Sequence, residues 1–172
     1  GLDNLIMFYD ANDVQLSTMV SEVDDEDVAA KYMAWHWNVI EIKGNDPQQI
    51  IDALTLANKS LDKPTLIIGH TIMGKGCVKS DGSNFEGQVS THGQPLSKAG
   101  VDVSLTIKGL GGNPEDPFLI FPAVKALYAD RLSELSKNAA KRKAEQADWS
   151  KKNPALAKKL ESFFSGKAPA ID

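Results

Sequence analysis

Three short apolar runs, separated by two helix-forming segments, constrain this chain more than any other feature. Residues 5–9, 36–42 and 65–69 are rich in Leu, Ile, Val and aromatic side chains. Each run ends at polar or glycine-bearing sequence, as buried parallel strands do. The first gap carries a helix pattern over residues 25–35, with acidic residues in its first turn and Val28, Tyr32 and Trp35 on one face. The second opens with Asp46 as N-cap, Pro47 at the first helical position and Gln49 closing a capping box. Ile50, Leu54 and Ala57 give that helix its apolar stripe. Strand, helix, strand, helix, strand predicts an α/β fold with a parallel sheet, flanking helices and right-handed crossovers.

The first run delivers Asp10-Ala11-Asn12 to a strand's carboxyl end, where ligand sites of open α/β sheets lie. Side-chain oxygens there suit a hard cation such as Mg²⁺, held by a few protein oxygens together with substrate phosphates. An Asx-turn explains the same two residues, and the pattern leaves both readings open. Thr71-Ile72-Met73-Gly74-Lys75-Gly76 follows the third run, and such a turn lets backbone approach a ligand. It lacks Walker spacing, and a plain strand exit also accounts for it. Residues 70–117 lose periodicity, and a stretch of that length is functional or disordered. Within it, residues 96–110 are read as holding one short helix. His92 lies in this stretch between a Thr and a Gly, placed either for proton transfer or simply at the surface. His36, between two tryptophans, reads as structural, and Cys77 as an inert small thiol.

Composition narrows the class. A net charge of -4 argues against nonspecific nucleic-acid binding, and the Lys141-Arg142-Lys143 cluster reads as a solvated helix face. One cysteine leaves no internal disulfide and fits a reducing, cytoplasmic setting. No apolar run reaches membrane-span length. The start, Gly1-Leu2-Asp3, leads almost directly into a strand, so an internal piece with strands before Gly1 is expected. A long helix is predicted from residue 118 and a last one from Asn153-Pro154 to near Gly166. A linker is predicted over residues 167–172.

Five motifs occur together and in order: Phe8-Tyr9-Asp10-Ala11-Asn12, Trp37-Asn38-Val39-Ile40, residues 62–68, Thr71 to Gly76, and His92-Gly93-Gln94-Pro95-Leu96. With them the chain resembles the transketolases, thiamine diphosphate enzymes that move a two-carbon ketol unit between sugar phosphates. The resemblance implies residues 1–117 as the later half of the diphosphate-binding domain, 118–166 as a helical extension and 167–172 as the start of a linker. It implies thiamine diphosphate and Mg²⁺ as cofactors, with the metal held by the Asn12 side chain and the Val14 carbonyl. Asp10 would support that loop, Leu16 and Met73 would line the thiazolium pocket, and His92 would serve catalysis near the diphosphate and the reacting substrate. It further implies sugar phosphate substrates, the remainder of the same enzyme and a second subunit as partners, and a place in the pentose phosphate pathway.

The chain departs from the family pattern in places. His70 stands where Lys is common and Gln94 where Ala is common. The stretch from Gly76 to His92 is long, and its residues 81–85 are unusual. The family's Gly-Asp-Gly metal motif would precede Gly1, and its activating Glu would follow Asp172, so the isolated segment is expected to be inactive and to bind cofactor poorly. Two alternatives are another thiamine diphosphate enzyme, such as deoxyxylulose phosphate synthase, and a non-catalytic or split subunit.

Overall fold

In a computed structural model, which describes residues 2–166, the three runs form one parallel sheet. β1 is Ile6–Ala11, β2 is Asn38–Lys43 and β3 is Thr65–His70. β3 lies in the middle, in the order β1-β3-β2. Thr65 faces Ile6 on one side and Asn38 on the other, and His70 faces Ala11 and Lys43. The buried strand is therefore β3, whose Ile67 is 0% exposed. Among the described residues β1 is an edge strand with Phe8 45% exposed, so the neighbour on its outer side that the buried-strand reading of residues 5–9 requires is not part of this sheet. β1 and β3 also extend past the apolar runs, through Ala11 and His70, since pairing continues along their polar ends.

α1, Val28–Ala34, is shorter than its pattern. Asp27 caps it by accepting the Ala30 N–H at 2.8 Å, so the acidic residues precede the first turn rather than filling it. His36 turns the chain into β2 with a left-handed backbone at φ 63, beside Tyr32, whose ring meets Trp35 and Trp37 edge-on. α2, Pro47–Ala57, starts where its signals place it, with Asp46 accepting the N–H groups of Gln48 and Gln49. Gln49 reaches back to the cap through its side chain, Nε2 donating to Asp46 Oδ2 at 2.9 Å, but not to the Asp46 N–H, which donates to the Lys43 carbonyl, so the box is not closed in its usual form. Gln49 Oε1 takes the Lys43 N–H at 2.9 Å and so ties the helix to the end of β2. The stripe also shifts: Ala53 and Ala57 are buried and Leu54 is exposed. Ala53, Ala57, Ile42 and Ile67 form the core, with Ile6, Ile40 and Ile50 against it. Small residues on α2 bring it close to the sheet, and burial of this kind contributes about 25 cal/mol per Å² of apolar surface.

Residues 70–117 are held by hydrogen bonds. Val78 bridges Asn84, Phe85 N–H donates to the Cys77 carbonyl at 2.9 Å, and Asp102 N–H donates to the Val78 carbonyl at 2.9 Å. Two helices, α3 (Leu96–Ala99) and α4 (Val103–Gly109), replace the one expected. Contacts divide the chain into two units, Gly1–Pro117 and Phe118–Asp172. The second holds α5, Pro122–Lys152, and α6, Pro154–Phe164. Residues 118–121 precede α5 and are not helical, with Pro122 at the first turn. The face expected from Val124, Tyr128, Leu132 and Leu135 is exposed. Asn153 does not cap α6 with its side chain, which instead donates to the Trp149 carbonyl at the end of α5. The linker expected over residues 167–172 lies outside the described residues.

Candidate functional site

The carboxyl ends of β1 and β3 bring their loops together. Thr71, just after β3, donates its hydroxyl to Asp10 and its N–H to the Ala11 carbonyl, so the two exits are laced. The Asn45 side chain accepts the Ile72 N–H at 2.9 Å, adding the β2 exit to the same cluster. Asn12 does form an Asx-turn, its Oδ1 accepting the Val14 N–H at 3.0 Å. That turn does not exclude a ligand role, because an amide oxygen has a second lone pair.

Backbone pairing determines where Val14 points. Val14 bridges Met19, flanked by Val20 N–H to the Asp13 carbonyl at 2.9 Å and Gln15 N–H to the Thr18 carbonyl at 3.0 Å. The bridge partners in that pattern turn their own N–H and C=O away from each other. The Val14 N–H goes to Asn12, and among the described residues nothing donates to the Val14 carbonyl. Two neutral oxygens, from Asn12 and Val14, therefore lie along one edge of this loop.

Leu16 extends from the same loop, 73% exposed, and a Cβ built on Gly93 would lie 3.2 Å from its Cδ2. The neighbour of Gly93 is His92, whose Nδ1 is enclosed and has no hydrogen-bond partner. An enclosed polar atom without a partner costs about 1–3 kcal/mol, so this loop holds an unmet polar group. Met73 is half-buried at the start of the glycine turn, and the next residue, Gly74, packs against Thr91. The geometry thus unites Leu16, the Met73–Gly76 turn and the His92 loop, while Asp10 joins through Thr71. Among the described residues, no three His, Cys, Asp or Glu side chains gather as a metal cluster.

Comparison with known proteins gives this arrangement a family. A family model described as "Transketolase, thiamine diphosphate binding domain" matches residues 1–169. The chain belongs to that family. The transketolase of Physarum polycephalum is 36% identical over 94% of this chain and 23% of its own length. A dihydroxyacetone synthase of Pichia angusta is 34% identical over 98% and 23%. Among solved structures, a Pichia stipitis transketolase complex with sedoheptulose-7-phosphate aligns at TM-score 0.82 and 29% identity, covering 98% of this chain and 24% of that one. A Campylobacter jejuni transketolase aligns at 0.73 and 30%, covering 96% and 24%. The chain thus spans about a quarter of the length of the relatives it matches.

For a transketolase thiamine diphosphate-binding domain, the donors present fit the cofactor. Neutral oxygens from Asn12 and Val14 suit a hard divalent cation. Leu16 and Met73 offer apolar surface, and His92 offers a nitrogen without a partner. Asn45 and Glu86 had no signal in the sequence, and Thr71 was marked only as the first residue of the glycine-turn motif. Asn45 and Thr71 act across distances in the chain that no periodicity spans. Glu86, ten residues from its partner, accepts the Gly76 N–H at 2.6 Å and the Asn84 amide at 3.2 Å, and these bonds hold its carboxyl below its ordinary value. Cys77 is buried, and its thiol is pushed up by desolvation first and by nearby Glu86 second, so it is a poor nucleophile. His70 pairs with Glu41 at 3.1 Å, both exposed.

Proposed function

We propose that this domain serves an enzyme that transfers a two-carbon ketol unit between sugar phosphates. The single observation behind the reading is the gathering of the Asn12 amide oxygen, which has a lone pair beyond its Asx-turn bond, the undonated Val14 carbonyl, the Leu16 and Met73 side chains and the His92 loop at the ends of β1 and β3. Thiamine diphosphate, when bound, supplies the carbanion chemistry. The Asn12 Oδ1 and Val14 carbonyl hold Mg²⁺, and Asp10, tied to Thr71, keeps their loop in place. Leu16 and Met73 would supply apolar surface for the thiazolium when the cofactor is bound. His92 lies near phosphate and substrate and exchanges a proton there. The reading includes a homodimer, the remainder of the enzyme as partner and a cytoplasmic setting. The dihydroxyacetone synthases among the relatives favour a second reading, in which the same site yields dihydroxyacetone.

The test uses the full-length protein with xylulose phosphate, ribose phosphate, thiamine diphosphate and Mg²⁺. Ketol transfer that falls at least about a hundredfold in His92→Ala, with cofactor affinity changed far less, is the expected result. Cofactor binding without transfer to any sugar phosphate would move the protein to another branch of this chemistry.

A further inference from the structure

The stretch between the glycine turn and His92 holds a carboxylate that none of the roles above uses. Glu86 Oε1 accepts the Gly76 N–H at 2.6 Å, Oε2 accepts the Asn84 amide at 3.2 Å, and Glu86 N–H donates to Asn84 Oδ1 at 2.5 Å. The next residue, Gly87, donates its N–H to the Met73 carbonyl at 2.8 Å. Residues 86 and 87 therefore grip the Met73–Gly76 turn at both ends.

The turn needs that grip. Gly74 and Gly76 both have positive φ, at 62 and 84, and glycine has the most conformational freedom to lose. Its own bracing is two backbone bonds, Lys75 N–H to Ile72 at 3.2 Å and Cys77 N–H to Gly74 at 3.0 Å. The same segment continues to the histidine. The Thr91 hydroxyl donates to the Gln88 carbonyl at 2.7 Å, and His92 N–H donates to Val89 at 3.0 Å. Thr91 also packs on Gly74, closing the path back to the turn. Hydrogen bonds to ionised acceptors are about twice as strong as neutral ones, so the carboxylate is the strongest tie in this path.

We propose that Glu86 is a positioning residue: its bond to Gly76 locks the glycine turn and thereby sets Met73 and the His92 loop for the cofactor. The proposal rests on the thiamine diphosphate reading above. Glu86 acts through the turn and touches no reacting atom. Its charge alone would repel a diphosphate, so positioning and plain electrostatics predict opposite signs when that charge is removed.

The full-length protein is compared with Glu86→Gln, Asn84→Asp and the double variant Asn84→Asp/Glu86→Gln. In Glu86→Gln two amide groups face each other, and the tie to Gly76 weakens. In the double variant the introduced glutamine amide donates to the introduced carboxylate, while its oxygen still accepts from Gly76. Two readouts are taken: the Kd for thiamine diphosphate at fixed Mg²⁺, and amide hydrogen exchange over Gly74 to Cys77 without cofactor. Glu86→Gln is expected to raise the Kd and speed exchange, each about tenfold, the loss of one charge-assisted hydrogen bond. The double variant relieves the amide clash but leaves Gly76 on a neutral acceptor, so it is expected to recover part of both losses, to within about threefold to fivefold of wild type, which a general folding defect would not do. Unchanged exchange, tighter cofactor binding in Glu86→Gln, or no recovery in the double variant would overturn the proposal. A wild-type protein that binds no thiamine diphosphate brings down the functional reading and this inference together. A wild type active in ketol transfer with an unresponsive Glu86→Gln removes the inference alone.

Discussion

Asn12→Ala removes two things at once, and their sizes can be worked separately. The first is the acceptor for the Val14 N–H, now met at 3.0 Å. Val14 is 6% exposed, so water does not readily replace that acceptor. Leaving the group unmet costs about 1–3 kcal/mol, which loosens the loop before any ligand arrives. The second is a metal ligand. Even groups that only orient a ligand are worth about ten- to a hundredfold in metal affinity, so a direct ligand is worth at least that. At about 1.4 kcal/mol per tenfold, the two together predict a loss of about a hundredfold or more in Mg²⁺-supported cofactor affinity. Asn12→Asp separates them, because it keeps the acceptor and adds a charge. Mg²⁺ alone should then bind more tightly, while thiamine diphosphate binds about tenfold more weakly, since the metal has less charge left for the diphosphate. Calorimetric titration of cofactor into the metal-loaded full-length protein, repeated over a series of Mg²⁺ concentrations, reads both. An Asn12→Ala protein with wild-type affinity and wild-type metal dependence would refute the assignment of Asn12 and Val14.

Three further outcomes are expected. Gly76→Ala and Gly82→Ala both place a side chain at positive φ, 84 and 79, at a cost of about 1–2 kcal/mol each. Only Gly76→Ala also meets a neighbour, Leu110 Cδ2 at 2.7 Å, and only it should weaken cofactor binding, as paired titrations would tell. Gly44→Ala puts a Cβ 2.5 Å from Thr71 Cγ2 and 2.8 Å from the Gly69 backbone, so it should destabilise the fold by about 2–3 kcal/mol and disturb the Thr71–Asp10 tie, seen in denaturant unfolding. The Glu86 carboxyl lies below its ordinary 4.5 in the folded protein, so its contribution is present above that pH and is lost as pH falls through the folded value. The stability gap between wild type and Glu86→Gln should therefore narrow on acidification below 4.5, and a gap constant with pH would speak against it.

What could be read from residue order alone was what is local. The start of α2 was legible because Asp46 and Pro47 act within one turn of each other. Three parallel strands were legible because helical periodicity separates the apolar runs. Strand order was not legible, because nothing within residues 5–9 says that β3 takes the centre of the described sheet. Gln49 was assigned to its own helix end, and it does bond the Asp46 cap, but through the carboxylate, while its oxygen takes the Lys43 N–H at the end of β2. The Asn12 loop was legible as either a turn or a ligand, and the geometry is compatible with both at once, since one lone pair serves the turn. Glu86 and Asn45 were invisible. They act on backbone N–H groups 10 and 27 residues away, and a backbone donor carries no sequence signature.

Charge explains why position 12 carries an amide and not a carboxylate. The ends of these strands are acidic: Asp10 and Asp13 flank Asn12, and Asp13, Asp24, Asp25, Glu26, Asp27 and Glu41 line one recess on the adjoining sheet face. The charge of a diphosphate brought near them is opposed by every carboxylate within the Debye length of about 10 Å. The nearest cation on the glycine turn, Lys75, is exposed and faces Glu86. A divalent ion can reverse this local balance, but only if its protein ligands leave its charge uncompensated. Asn12 and the Val14 carbonyl are neutral oxygens, so they take no charge from a cation they hold; with the one Asp expected from the Gly-Asp-Gly motif, it still keeps positive charge for the phosphates. An acidic domain can in this way bind an acidic cofactor, and its affinity for that cofactor must then rise and fall with the metal.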